Sequence, residues 1–251
     1  MKKRIATAFL GVLMLLTCIM PAMAAESQTM SDEDFDMAVA QIMRGYDSDP
    51  EGTKAALAEL DATLISEPTK VEHNTNIDDG ISLTSTLPSN YELDIYSIKR
   101  GNSSDYLLQW RLDCNKTETS PGELDYISIE WDTARAKFNK FTSHSKYTSV
   151  KERRTGIVLF NVEDENMTAG TWTIGTVYVT PTKSGAMRFG SKFTHTYTET
   201  SITGTASVSF GISADASKSL GLSYTYTYSV TTTQNARAWD VWKETTVSMH
   251  L

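Results

Sequence analysis

From Ser201 to Thr231 apolar and polar residues alternate without a break for thirty-one positions. The even positions read Ile202, Gly204, Ala206, Val208, Phe210, Ile212, Ala214, Ala216, Lys218, Leu220, Leu222, Tyr224, Tyr226, Tyr228 and Val230. The odd positions are Ser, Thr or Gly throughout, apart from Asp215. A repeat of two belongs to a β-strand, whose successive residues face opposite sides of the sheet. Fully extended, the run would span roughly 100 Å at ~3.3 Å per residue, so it must fold back into a hairpin. Its only charges, Asp215 and Lys218, mark the tip. Directly opposed residues on antiparallel strands share a face, so even must pair with even and the loop must hold an odd number of residues. Centring on Ala216 sets Ile202 against Val230, Gly204 against Tyr228, Ala206 against Tyr226, Val208 against Tyr224, Phe210 against Leu222 and Ile212 against Leu220.

The two arms also change phase together. Before Thr200 the apolar set is odd (Met187, Phe189, Phe193, Tyr197), the pattern changes again near Thr233–Trp239, and the same centring puts residue 198 opposite 234. A symmetric change of this kind means that the hairpin passes from one environment into another. Trp239, Val241 and Trp242 are placed to anchor its base to a core.

Each arm from Ile202 to Ala214 is thirteen residues long, enough for a membrane-barrel strand of about 9–11 residues. Such a strand shows hydrocarbon an apolar face and a pore a polar one, with its backbone paired to neighbouring strands. On that reading Ile202, Val208, Phe210, Ile212, Leu220, Leu222, Tyr224, Tyr226, Tyr228 and Val230 face lipid. Thr203, Thr205, Ser207, Ser209, Ser223, Thr225 and Thr227 face a lumen, and the three tyrosines near the base form an interfacial belt. The pattern resembles the stem hairpin of β-pore-forming toxins of the aerolysin type. That resemblance implies a soluble monomer that releases a hairpin, several copies of which close a barrel. Two other readings produce the same alternation: a hairpin laid apolar-side down on a sandwich, and edge-to-edge self-assembly of long strands. Solvated strand faces usually carry Lys or Glu as protection, and residues 203–214 and 219–230 carry no charge.

The rest of the chain points to β structure as well. Thr (34) and Ser (26) make up nearly a quarter of the 251 residues, and Thr, Tyr, Val and Ile favour pleated surfaces. With 23 Lys+Arg against 31 Asp+Glu the balance is acidic, which opposes binding to nucleic acid through phosphates. Lys2, Lys3 and Arg4, the apolar run Ile5–Met20 and the small residues of Ala22-Met23-Ala24 form a bacterial-style export leader cleaved after Ala24. The surroundings of Cys18 make a poor lipoprotein signal. Loss of the leader leaves Cys114 alone and rules out an internal disulfide.

Residues 26–66 read as two short helices. Ser31 caps the first, with Asp32, Glu33, Asp34 and Asp36 near its start. Its apolar stripe is Phe35, Ala38, Val39, Ile42 and Met43, and Gly45 stops it. Asp49-Pro50 starts the second, with Ala56, Leu57, Leu60, Leu64 and Ile65 as its stripe. From Ser66 to Asn90 no period is sustained, which reads as a linker. Strand-like stretches follow at 91–99, 105–113, 125–132, 137–150, 155–162 and 171–180, punctuated by Gly101-Asn102, Pro121-Gly122 and the segments 163–170 and 181–185. Six short strands in about ninety residues suggest a β-sandwich. The stretch from Asp164 through Ala169-Gly170-Thr171-Trp172-Thr173-Ile174 resembles the corner entering a late strand of an immunoglobulin-like domain, although the Cys–Trp–Cys framework is missing.

No catalytic constellation emerges. His73, His144, His195 and His250 are dispersed, and no metal-binding H-E-x-x-H, G-x-S-x-G elbow or phosphate loop occurs. Cys114 has no base nearby in sequence, and Asp47, Asp49, Glu51 and Gly52 lack the Glu that would complete a calcium loop, Ala58 standing in its place. The organisation expected is a leader (1–24), a helical segment (25–66), a linker (67–90), a β-sandwich (91–186) and a long amphipathic hairpin with a C-terminal strand (187–251). The function expected is that of a secreted, non-enzymatic protein that inserts its hairpin into a membrane and oligomerises, without cofactor or metal. The alternative is a cell-surface binding or adhesion module. Expected partners are a lipid membrane or a cell-surface ligand, and further copies of the chain.

Overall fold

The computed structural model describes residues 30–70, 91–117, 125–144, 146–198, 207–210, 228–231 and 236–251. Two helices come first, α1 (Asp32–Met43) and α2 (Pro50–Glu59). Asp49 caps α2 by accepting a hydrogen bond from Gly52 N at 2.9 Å, with Pro50 in the first turn where its missing N–H is harmless. The helix then ends earlier than its apolar stripe suggests. Asp61 takes φ 54°, the left-handed region that Asp tolerates, and turns the chain back. Leu64 and Ile65 therefore belong to a strand, β1 (Ala62–Lys70), which pairs antiparallel with β2 (Tyr91–Arg100). Helical spacing within a short segment could not reveal that edge, because the partner lies further along the chain.

The remaining strands are β3 (Tyr106–Cys114), β4 (Asp125–Trp131), β5 (Ala136–Ser143), β6 (Thr148–Arg154), β7 (Ile157–Val162), β8 (Trp172–Pro181), β9 (Gly185–Thr198), β10 (Ser207–Phe210), β11 (Tyr228–Thr231) and β12 (Ala236–Met249). They form a five-stranded sheet in the order β1-β2-β3-β8-β5, a second in the order β12-β9-β4-β7-β6, and a separate pair β10-β11. All pairings are antiparallel. The fold is a β-sandwich with two short helices, as the strand pattern implies. The single strand expected over 137–150 is two. Tyr147 N and Thr148 N both bond to His144 O, and this corner carries the chain from the first sheet to the second.

Between the sheets lie Trp110, Trp131, Phe160, Phe189, Phe193, Ile127 and Val177. Trp110 meets Phe160 edge-on with ring centroids 5.6 Å apart. The indole fits because Gly175 lies opposite it on β8, where a Cβ would come within 2.7 Å of the ring. Met187, Phe189 and Phe193 are buried together with Val247 and Met249, so these odd-numbered residues of β9 face the core. Cys114 is buried and forms no disulfide among the described residues.

The helices cover the outer face of the first sheet. Phe35, Val39, Met43 and Leu57 pack against Tyr96, Ile98, Leu107 and Tyr178. As a result every residue of β3 is buried, on both faces. Asp36 is part of this contact rather than a solvated charge at a helix start. It accepts from Tyr178 OH at 2.8 Å and from Thr142 Oγ1, while its carbonyl accepts from Gln109 Nε2. Burial pushes its carboxyl up to about 7, against the pull of those hydroxyls.

Candidate functional site

Three residues after the last β4–β9 pair the hairpin is still a regular ladder. β9 and β12 pair continuously from Gly185↔Met249 to Thr198↔Ala236, whereas β4 accompanies β9 only from Trp131↔Phe189 to Tyr126↔Thr194. His195 is thus the first residue at which the ribbon has left the second sheet. Further out, β10 and β11 pair as Ser207↔Thr231, Val208↔Val230, Ser209↔Ser229 and Phe210↔Tyr228. Neither strand joins either sandwich sheet.

Parity holds along this ladder, since even residues stand opposite even ones. The register centred on Ala216 does not hold. Val208 lies opposite Val230 instead of Tyr224, and Phe210 opposite Tyr228 instead of Leu222. At the base, residue 198 lies opposite 236 rather than 234. The physical reason is that alternation fixes which face a residue takes, and a slip by an even number of residues leaves every face unchanged. The observed register has the further merit of matching two β-branched residues and two aromatics across the strands, pairings that stabilise sheets. Between the two ladders, eight residues (199–206) separate them on one arm and four (232–235) on the other.

Of the residues assigned from sequence to the lipid side, Val208, Phe210, Tyr228 and Val230 fall in this ladder. Ser207 and Ser209 are the assigned lumen residues within it. Ile202, Ile212, Leu220, Leu222, Tyr224 and Tyr226 lie outside the described residues, as do Thr203, Thr205, Ser223, Thr225, Thr227 and the tip residues Asp215 and Lys218.

At the point where the ribbon departs, the fold brings together three groups that are far apart in sequence. His195 Nδ1 lies 2.7 Å from Asp125 Oδ2 and 3.4 Å from Asp164 Oδ2. Tyr91 OH donates to the same Asp164 oxygen at 3.1 Å. Asp125 opens β4, Asp164 sits in the short 3-10 turn after β7, and Tyr91 opens β2. The Tyr91 and Phe193 rings pack beside the imidazole, with centroids 5.4 and 6.0 Å away. Burial and the neighbouring Asp125 charge push the Asp164 carboxyl up to about 8, with His195 pulling the other way. Two carboxylates and an imidazole, with their ligand atoms within 4.8 Å of one another, are also a donor set for a divalent cation. The three side chains are exposed by 0, 2 and 1% for Asp125, Asp164 and His195, so a substrate has no access to them. In sequence, His195 is one of four dispersed histidines. No spacing links positions 125, 164 and 195, and only the sheet order does so.

Cys114 and the helix-start acids complete the picture. The thiol donates to Lys116 O at 3.1 Å. Asp49 serves as the cap that its place before Pro50 suggests.

No protein-family model matches the chain, and no curated protein matches it. Among solved structures it is similar to the seventh ScaB type I cohesin of Pseudobacteroides cellulosolvens, at 8% identity and TM-score 0.28, over 36% of this chain and 69% of that one. It is also similar to the Clostridium perfringens NetB toxin in its membrane-inserted form, at 6% identity and TM-score 0.31, over 72% of this chain and 97% of that one. A third likeness is to the C-terminal domain of the Streptococcus agalactiae AgI/II polypeptide BspA, at 7% identity and TM-score 0.28, covering 62% and 58%. Likenesses this low carry no argument about function.

Proposed function

We propose that this is a secreted, non-enzymatic protein that acts at a membrane by inserting residues 201–231 as a β-hairpin and assembling with further copies into a barrel. The observation that carries the reading is a two-stranded ladder that pairs even with even residues and belongs to neither sandwich sheet. In water a strand pair with one unbroken apolar flank needs a cover. In a bilayer the same flank meets hydrocarbon, the Ser and Thr flank meets water, and strand edges are closed by neighbouring copies. The twelve uncharged residues on each side of the tip, 203–214 and 219–230, are enough for the thickness to be crossed. Asp215 and Lys218 are then the residues carried to the far side.

Vesicles with an entrapped fluorophore test this. The chain lacking residues 1–24 is expected to release the fluorophore and to form oligomers stable enough to survive detergent extraction. Intact vesicles and a monomer under all conditions, including limited proteolysis and cell-derived lipid, would contradict the reading.

A further inference from the structure

Charge is unevenly spread along this acidic chain. Residues 135–154 hold seven of its 23 Lys and Arg and a single carboxylate, Glu152. They span β5, the corner at His144 and β6, and these strands are the last of the first sheet and the last of the second. The run therefore borders one open side of the sandwich. The two strands meet across that side, for the Arg153 guanidinium lies 4.7 Å from the centre of the Phe138 ring. A bulge between Phe138 and Lys140 carries Phe141 back beside Phe138, with ring centroids 6.2 Å apart. Phe138 packs against the core between the sheets, whereas Phe141 is 41% exposed.

Three of the seven cations are engaged within the chain. Lys140 pairs with Asp32, Arg154 with Glu152, and Arg135 donates to Ser184 O. Lys137, Lys146, Lys151 and Arg153 are exposed, and none of them has a carboxylate partner among the described residues. Contacts to the Tyr147 and Phe138 rings leave the charges of Lys146 and Arg153 unneutralised.

Edge strands often carry lysine simply to discourage pairing with other chains. The other two edges of this sandwich use both signs: β1 has Glu67 and Lys70, and β12 has Arg237, Asp240, Lys243 and Glu244. Protection needs charge, but not charge of one sign. A one-signed edge on a chain of net charge −8 attracts anions. An apolar ring in its midst narrows the choice. A soluble polyanion would neutralise the cations and leave Phe141 in water. A bilayer with anionic headgroups offers phosphate to the cations and an apolar layer beneath it to the ring.

We propose that this edge, through Lys137, Lys146, Lys151, Arg153 and Phe141, docks the sandwich onto a membrane surface that carries anionic phospholipid. The contact is peripheral and needs no release of the hairpin, so it is independent of membrane insertion.

Flotation with vesicles tests it. The chain lacking residues 1–24 is mixed with vesicles of phosphatidylcholine alone, or of phosphatidylcholine and phosphatidylglycerol in equal parts, and release of an entrapped fluorophore is scored in parallel. Binding is expected to the mixed vesicles and not to the neutral ones, and it should weaken as salt is raised. Lys137→Gln and Lys151→Gln should each weaken it about fivefold, as loss of one surface cation does. Phe141→Ser should cause a comparable loss at an unchanged melting temperature. Lys54→Gln removes a cation beside Glu67 of β1, at the opposite edge of the first sheet, and should change binding by less than about twofold, since a distant charge lies beyond the screening length. Binding without fluorophore release upholds the docking edge and contradicts only the hairpin reading. Equal binding to both kinds of vesicle, equal loss from Lys54→Gln, full binding by Phe141→Ser, or failure to bind mixed vesicles by a chain that binds heparin would each overturn the proposal.

Discussion

In β9 and β12 fourteen consecutive pairs bring together residues that differ in size and chemistry, from Met187↔Val247 through Lys192↔Trp242 to Thr198↔Ala236. In the run from 201 to 231 nearly every even residue is apolar and nearly every odd one is a hydroxyl or glycine. Both regions obey the same strand period, yet they specify different things. Heterogeneous partners single out one register, because any slip puts a large residue where a small one fitted. A repetitive ribbon specifies a face and leaves the partner open. That indifference is a liability in a monomer, where it invites slipping and edge pairing. It is an asset if the same strands must later pair with copies of themselves.

The largest expected effect follows from placing a charge on the apolar flank. Phe210→Arg should reduce vesicle permeabilisation by about two orders of magnitude, since Arg near the bilayer midplane costs about 2–4 kcal/mol per strand. Ser209→Arg, one residue along and on the other flank, should retain most of the activity. Equal loss in both variants would mean that the two flanks are not distinguished by a membrane.

Next in size is a substitution in the sandwich. Trp110→Ala empties the space between Phe160 and Gly175, and denaturant unfolding should show a loss of about 3–5 kcal/mol. Phe210→Ala should change the same measurement by about 0.5 kcal/mol or less, as for a residue outside the core. A comparable loss at Phe210 would place the ribbon in the sandwich core.

Smaller, and confined to the sandwich, is a dependence on pH. Burial raises Asp36 and Glu130 to about 7 and Asp164 to about 8, against about 4 in an unfolded chain. A carboxyl whose folded pKa is raised stabilises fully below its unfolded value and loses that contribution as pH climbs through the folded one. The melting temperature is therefore expected to fall between about pH 4 and pH 8 and to level off above that. Asp164→Asn should flatten the upper part of the fall, and a melting temperature that rises over this range would contradict the assignment. The least effect belongs to the helix cap. Asp49→Ala, losing the bond from Gly52 N, should cost about 1 kcal/mol in thermal or denaturant unfolding.

How much of this was legible beforehand depends on the range of the interaction concerned. The strands from Tyr91 to Pro181 announce themselves by β-branched and aromatic runs, and the parity of the ribbon is written in its alternation. The corner at His144 was hidden because the residues on both sides of it are equally strand-like. Strand β1 was hidden because Leu64 and Ile65 also continue a helical stripe. Asp36 looked like an ordinary charge near a helix start, and its burial depends on Tyr178 and Thr142, each more than a hundred residues away. The cluster of Asp125, Asp164 and His195 is a product of sheet order, which single-chain patterns do not encode.

The most direct measurement places an environment-sensitive fluorophore singly on Val208→Cys, Ser209→Cys, Phe210→Cys and Ser229→Cys variants and adds lipid vesicles. Emission at positions 208 and 210 should shift toward that of a hydrocarbon surrounding while positions 209 and 229 stay aqueous. Unchanged emission at all four, or the same shift at both parities, would contradict the account of a ribbon whose two flanks are made for lipid and water.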